Sequence, residues 1–198
     1  MVDGIRHNKI QLSQRDHTVS RLTTLDESDL SEESLEALAA VRMNNKLAPI
    51  YLQFANSQPA LNAYLHMEAS IRSGSLALTE VEAVKLWLSQ QTGCDFCLSV
   101  HSFKGKQAGL EPDVQLAIRR GEPTGTERLD CILEIAAVLF RQRGKLPDEL
   151  LTKARSLELT DENLVDLTMV MSTIFFTNIT NHINDSQSAL PPAVSIDE

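Results

Sequence analysis

The run Gln91-Thr92-Gly93-Cys94-Asp95-Phe96-Cys97-Leu98-Ser99-Val100-His101 decides the fold. It reads as the last turn of one helix, a glycine stop and the first turns of the next. Gly93 suits the left-handed backbone that closes a helix, because it has no Cβ to strain a positive φ. Upstream, Thr79 is the expected opening of the first helix; downstream, Gly109 is the expected end of the second. Helices joined this tightly are expected to fold back on one another, with two cysteines at the corner.

Helical punctuation continues in both directions. Ser31 can cap a helix reaching about Met43, with Leu35, Leu38 and Ala39 at i, i+3, i+4 spacing. Pro49 and Pro59 suit the first turns of helices ending near Asn56 and Arg72. After Gly109 the pattern predicts helices from Pro112 to Arg120, Thr126 to Arg143, Pro147 to Ser156 and Thr160 to about His182. No alternating run of β-branched residues competes. The expectation is an all-α fold of eight or nine helices with no sheet. It comprises an arm over residues 1–25, one domain over 26–184, and a tail over 185–198 carrying Pro191-Pro192.

The composition narrows the function classes. With 27 acidic and 18 basic residues the net charge is -9, a field that repels phosphate backbones and anionic lipid. No apolar run approaches the roughly 20 residues of a spanning helix. The polar N-terminus lacks the apolar segment of a signal peptide, so a cytoplasmic protein is expected. In a reducing compartment a C-x-x-C pair is seldom a structural staple, and more often redox-active or metal-binding.

Cys94 and Cys97, at i and i+3 on a helix start, lie within disulfide reach, and the positive end of the helix dipole favours their thiolates. His101, at i+4 from Cys97, is placed to hold the proton that this thiol gives up. This makes Cys97 the expected activated thiol and Cys94 its resolving partner. Glu82 lies about 15 Å before the turn and His101 about 10 Å after it, at roughly 1.5 Å per residue, so a carboxylate–imidazole–thiol order is expected. The competing readings are structural. Glu82 also fits a capping box with Thr79. Zinc could take Cys94, Cys97 and His101, yet a fourth ligand is missing. Cys131 reads as a small core residue, Trp87 and Phe175-Phe176 as core or interface, and Arg119-Arg120 as solvated helix-end charges. His182, near a helix C-terminus, is a candidate for lining the site. No cofactor and no metal is expected.

Glu82, eleven residues, then Cys94-x-x-Cys97-x-x-x-His101 resembles the signature of the AhpD-like alkylhydroperoxidases of the carboxymuconolactone decarboxylase superfamily. The resemblance covers about Leu78 to Asn184 and leaves residues 1–45 unaccounted for. It implies an all-helical homo-oligomer, a trimer or hexamer, in which Glu82, Cys94, Cys97 and His101 form the catalytic set. It also implies a hydroperoxide substrate and an external dithiol, a thioredoxin-like or lipoyl reductant, or a peroxiredoxin partner. Phe96 stands where the best-known branch carries a further relay histidine, so that branch's full peroxidase turnover is not implied. Two rivals remain. One is a decarboxylase or lactone-processing enzyme, for which no converging basic residues can be assigned from sequence. The other is a non-enzymatic redox sensor or scaffold.

Overall fold

The computed structural model describes residues 20–23, 25–42 and 46–196. Most of the expected N-terminal arm therefore lies outside the described residues. A 3-10 turn, Glu27–Asp29, precedes nine α-helices. In chain order these are α1 (Glu32–Ala39), α2 (Pro49–Phe54), α3 (Gln58–Ser73), α4 (Leu78–Thr92), α5 (Asp95–Ala108), α6 (Pro112–Arg120), α7 (Glu127–Arg141), α8 (Asp148–Ser156) and α9 (Asp161–Asn184). Among the described residues there is no strand, and the fold is all-α.

Helix α4 organises the molecule. Residues 80–89 are all buried although Glu80, Glu82, Lys85 and Ser89 are among them. A helix without a solvent face must be enclosed, and α5, α9, α6 and α7 surround it. The main core gathers Val84, Leu86, Trp87, Ile118, Ile135 and Ile174 around this axis. A smaller core, Leu38, Phe54, Leu61 and Tyr64, joins α1, α2 and α3. Phe176 of α9 stacks on Phe54 at 4.9 Å between centroids and ties this layer to the rest.

The corner between α4 and α5 is built as the sequence indicates. Gly93 sits at φ 69°, and the Cys94 N–H donates to the Ser89 carbonyl at 3.0 Å. A Cβ at Gly93 would meet nothing within 4 Å, so a substitution there is limited by backbone strain alone. Gly93→Ala is therefore expected to lower stability by about 1–2 kcal/mol. Denaturant unfolding, read as a shifted midpoint at unchanged slope, checks this.

Several helix ends differ from expectation. Helix α1 stops at Ala39 instead of reaching Met43, which lies outside the described residues. Helix α4 starts at Leu78 with Ala77 as N-cap, because Glu80 accepts the Ala77 N–H at 2.9 Å. Thr79 is thus inside the helix, and Glu82 takes no part in the cap. Helix α7 ends at Arg141 because Arg143, at φ 57°, has already left helical geometry. Helix α9 runs on to Asn184, closed by Asp185 at φ 56°.

Both flanking segments are held. The Arg21 N–H donates to the Asn184 carbonyl, and Ser20 Oγ and the Leu22 N–H donate to Asn184 Oδ1. Arg119 is buried rather than solvated: its guanidinium donates to Gln90 Oε1 and to the Val194 carbonyl, drawing the tail onto α6. Arg120 donates to the Ile196 carbonyl in the same way. No helix among the described residues is long and apolar enough to cross a membrane.

Candidate active site at the α4–α5 corner

Cys94 is the N-cap of α5, and its sulfur accepts the Cys97 N–H at 3.3 Å. Cys97 is the third residue of the helix. This geometry brings the Cα atoms to 5.2 Å, inside the disulfide range, and the two cysteines are joined. Both are buried. The helix N-terminus favours thiolate at either position in the reduced protein.

The antiparallel packing of α4 on α5 brings Glu82 to His101. Glu82 Oε2 lies 2.7 Å from His101 Nδ1, and both residues are buried. A carboxylate only accepts, so Nδ1 carries the proton and Nε2 is left as the basic nitrogen. Burial pushes the His101 imidazole down from its ordinary value. Glu82 offsets this in part, and the cations Lys104 and Lys85 add to it. For Glu82, burial acts to raise the carboxyl, but the charge and hydrogen bond of His101, together with the cations Lys85 and Lys104, outweigh it and hold the group below its ordinary value. Beside the pair, Lys85 Nζ and Glu68 Oε1 meet at 2.7 Å, with Lys85 almost fully buried. Burial alone would raise the Glu68 carboxyl too, and Lys85 reverses it.

These directions fix a pH dependence. A depressed histidine gives stability that is complete above its unfolded value of 6.5 and is lost as pH falls toward its folded value. Glu82, depressed from 4.5, adds a second loss below that pH. The melting temperature is therefore expected to fall between pH 7 and pH 5 in wild type, and to fall less in His101→Asn. Thermal melts across that range check it.

Each sulfur opens on a different cavity. Cys97 and His101 line one of about 520 Å³, walled by α2, α3, α5, α9 and the segment between α1 and α2. Cys94 lines a polar one of about 270 Å³ with His182 and Asp185 to Ser188. Phe96 and Asn181 border both. His182 is thus on Cys94's side, exposed, and does not line the cavity of His101.

Sequence reasoning missed Asn181. Its Nδ2 donates to Cys97 Sγ at 3.4 Å, while its Oδ1 is buried without a hydrogen-bond partner. The available signal was a polar stripe (Thr173, Thr177, Asn181 and Asn184 at three- and four-residue spacing) along an otherwise apolar helix. The Lys85–Glu68 pair was also missed. The absence of basic residues at the pocket is corrected: Arg42, Lys46, Arg72 and Lys104 all line the Cys97 cavity. Cys131 is in the core, as expected, and burial pushes its thiol up, so it stays protonated. Trp87 is core, edge-on to Phe140 at 6.0 Å, whereas Phe175 and Phe176 are partly exposed. No group of three or more metal-binding side chains occurs among the described residues.

Comparison with known proteins places these features. The sequence model of the carboxymuconolactone decarboxylase family matches residues 57–137. No sequence among curated proteins matches the chain. Three solved structures share the fold. An alkylhydroperoxidase AhpD core, peroxidase-related protein from Ralstonia eutropha JMP134 has a TM-score of 0.76 at 14% identity, covering 86% of this chain and 92% of that one. A protein of unknown function from Agrobacterium tumefaciens, associated by name with AhpD antioxidant defence, has 0.62 at 23%, covering 70% and 97%. A debrominase in its apo form has 0.64 at 17%, covering 86% and 91%. Segment 57–137, with Glu82, Cys94, Cys97 and His101 inside it, matches the carboxymuconolactone decarboxylase family model, and the chain has the AhpD-like fold.

Proposed function

We propose that the chain is a dithiol-dependent hydroperoxidase and disulfide oxidoreductase, with Cys97 as the attacking thiol. The observation that carries this reading is that Cys97 and His101 line one cavity while Glu82 holds the imidazole at 2.7 Å. In the reduced protein His101 Nε2 takes the Cys97 proton. The thiolate attacks the terminal oxygen of the hydroperoxide, the O–O bond breaks, and the proton returns to the departing alkoxide to give the alcohol. Cys97 is left as a sulfenic acid. The Cys94 thiol then attacks that sulfur, water leaves, and the disulfide forms. An external dithiol, or a thioredoxin-like or lipoyl reductant, supplies two electrons and two protons to restore the pair. Asn181 Nδ2 supports the thiolate, and its unpartnered Oδ1 is an acceptor for the peroxide O–H.

The decarboxylase rival gains the basic residues that it needs, yet it leaves the paired cysteines without a task. A cytoplasmic setting fits the need for a cellular dithiol. Self-association fits α9, where Phe175, Ile179 and Ile183 are exposed at four-residue spacing on one face. The testing experiment is hydroperoxide consumption with a panel of dithiols, wild type beside Cys97→Ser. Turnover in wild type alone supports the reading; equal rates in both overturn it.

A further inference from the structure

The Cys97 cavity carries more chemistry than a small hydroperoxide requires. Its interior is apolar, with Val41, Leu47, Ile50, Phe96 and Ile174 among its walls, and its volume is about 520 Å³. Four cationic side chains, Arg42, Lys46, Arg72 and Lys104, line it as well. Its one carboxylate among the described residues, Glu68, is neutralised by Lys85 at 2.7 Å. Arg42 is likewise paired, with Glu27, which leaves the cavity's net charge to Lys46, Arg72 and Lys104. This cavity is thus net positive in a chain whose net charge is -9, so the local sign is set by placement and not by composition.

From this juxtaposition we propose that the cavity takes a fatty-acid hydroperoxide, its carboxylate held by the cationic side chains and its chain in the apolar interior. The proposal rests on the peroxidase reading and names its substrate class. Lys104 follows Cys97 by seven residues on α5, two turns along one face, which is about 10 Å of helix rise. A carboxylate held at Lys104 therefore sets a peroxide near the middle of the chain against Cys97. Arg72 lies one turn beyond Glu68 on α3, facing the same space from the other wall. Lys104 acts on the charge balance of His101, Glu82 and Glu68, which agrees with its placement beside them. Neutral hydroperoxides would gain nothing from these cations. An amphipathic anion gains both apolar burial and charge pairing.

Direct binding and turnover separate the two claims. Calorimetric titration with octanoate and with 1-octanol should show the anion bound at least about tenfold more tightly. That ratio should fall toward one in Lys104→Gln, in Arg72→Gln, and at high salt. Both side chains are exposed, so neither change removes core packing. In steady state, a mid-chain hydroperoxide of an unsaturated fatty acid should show a lower KM than its methyl ester. Octanol binding as well as octanoate, binding of neither, or a ratio unmoved by both substitutions would overturn the proposal. If cumene hydroperoxide is reduced but the anion shows no advantage, the substrate assignment fails and the peroxidase reading stands. If octanoate binds with the expected ratio but no hydroperoxide is consumed, the anion site stands and the peroxidase reading fails.

Discussion

Replacing Cys97 with serine is expected to reduce dithiol-supported hydroperoxide turnover by more than about a thousandfold, to the uncatalysed background. The loss is that large because the nucleophile itself is gone, and catalytic groups that act as a unit do not substitute for one another. Cys94→Ser should behave differently. Its Cys97 keeps the His101 cavity and the Asn181 hydrogen bond, so the first attack proceeds. The sulfenic acid then has no resolving partner. One equivalent of peroxide should be consumed and turnover should stop, with a dimedone adduct on the Cys97 peptide. On dipole grounds alone Cys94, as the N-cap, has the stronger claim to the thiolate. A burst from Cys97→Ser with none from Cys94→Ser would reverse the roles.

Removing the proton carrier is expected to have the next largest effect. His101→Asn should lower kcat/KM by about 10²- to 10⁴-fold near neutral pH, the range that general acid–base catalysis supplies. The loss should shrink as pH rises and Cys97 ionises without help, which a purely structural role would not produce. Glu82→Gln keeps an acceptor for the Nδ1–H and removes the charge that orients the imidazole, so a loss no larger than that of His101→Asn, at most about 10⁴-fold, is expected. Glu82→Ala also deletes a buried hydrogen bond to a charged group, and should lower stability by about 1.5–3 kcal/mol. Rate–pH profiles of the three variants beside wild type check the order.

The parts of this site that were legible in sequence are those fixed by short-range helix geometry. Gly93 as a left-handed stop, the cysteines at i and i+3, and His101 at i+4 need only the helical repeat. Glu82 was reachable because a two-residue corner, Gly93 and Cys94, turns α5 back antiparallel to α4, so counting rise from the turn gives the contact. Its competing assignment to a capping box failed because the N-cap is Ala77, two residues before Thr79, which hands the cap to Glu80. Asn181 was not legible. It meets Cys97 across 84 residues of chain, and no local spacing encodes how α9 crosses α5. The same holds for the cavity's cations, which come from α3, α5 and the segment between α1 and α2 and converge only after packing. Arg119 was misread because a helix-end arginine looks solvated until a tail folds back over it.

If Cys94 and Cys97 together convert one hydroperoxide to one alcohol, a single turnover without reductant will show it. Fully reduced protein is mixed with one equivalent of cumene hydroperoxide; the alcohol is quantified and the peptides are weighed by mass spectrometry. One alcohol per chain is expected, with the peptide containing both cysteines lighter by two hydrogens and Cys131 unchanged. Peroxide left unconsumed, or consumed while the Cys94–Cys97 peptide keeps its reduced mass, would contradict it.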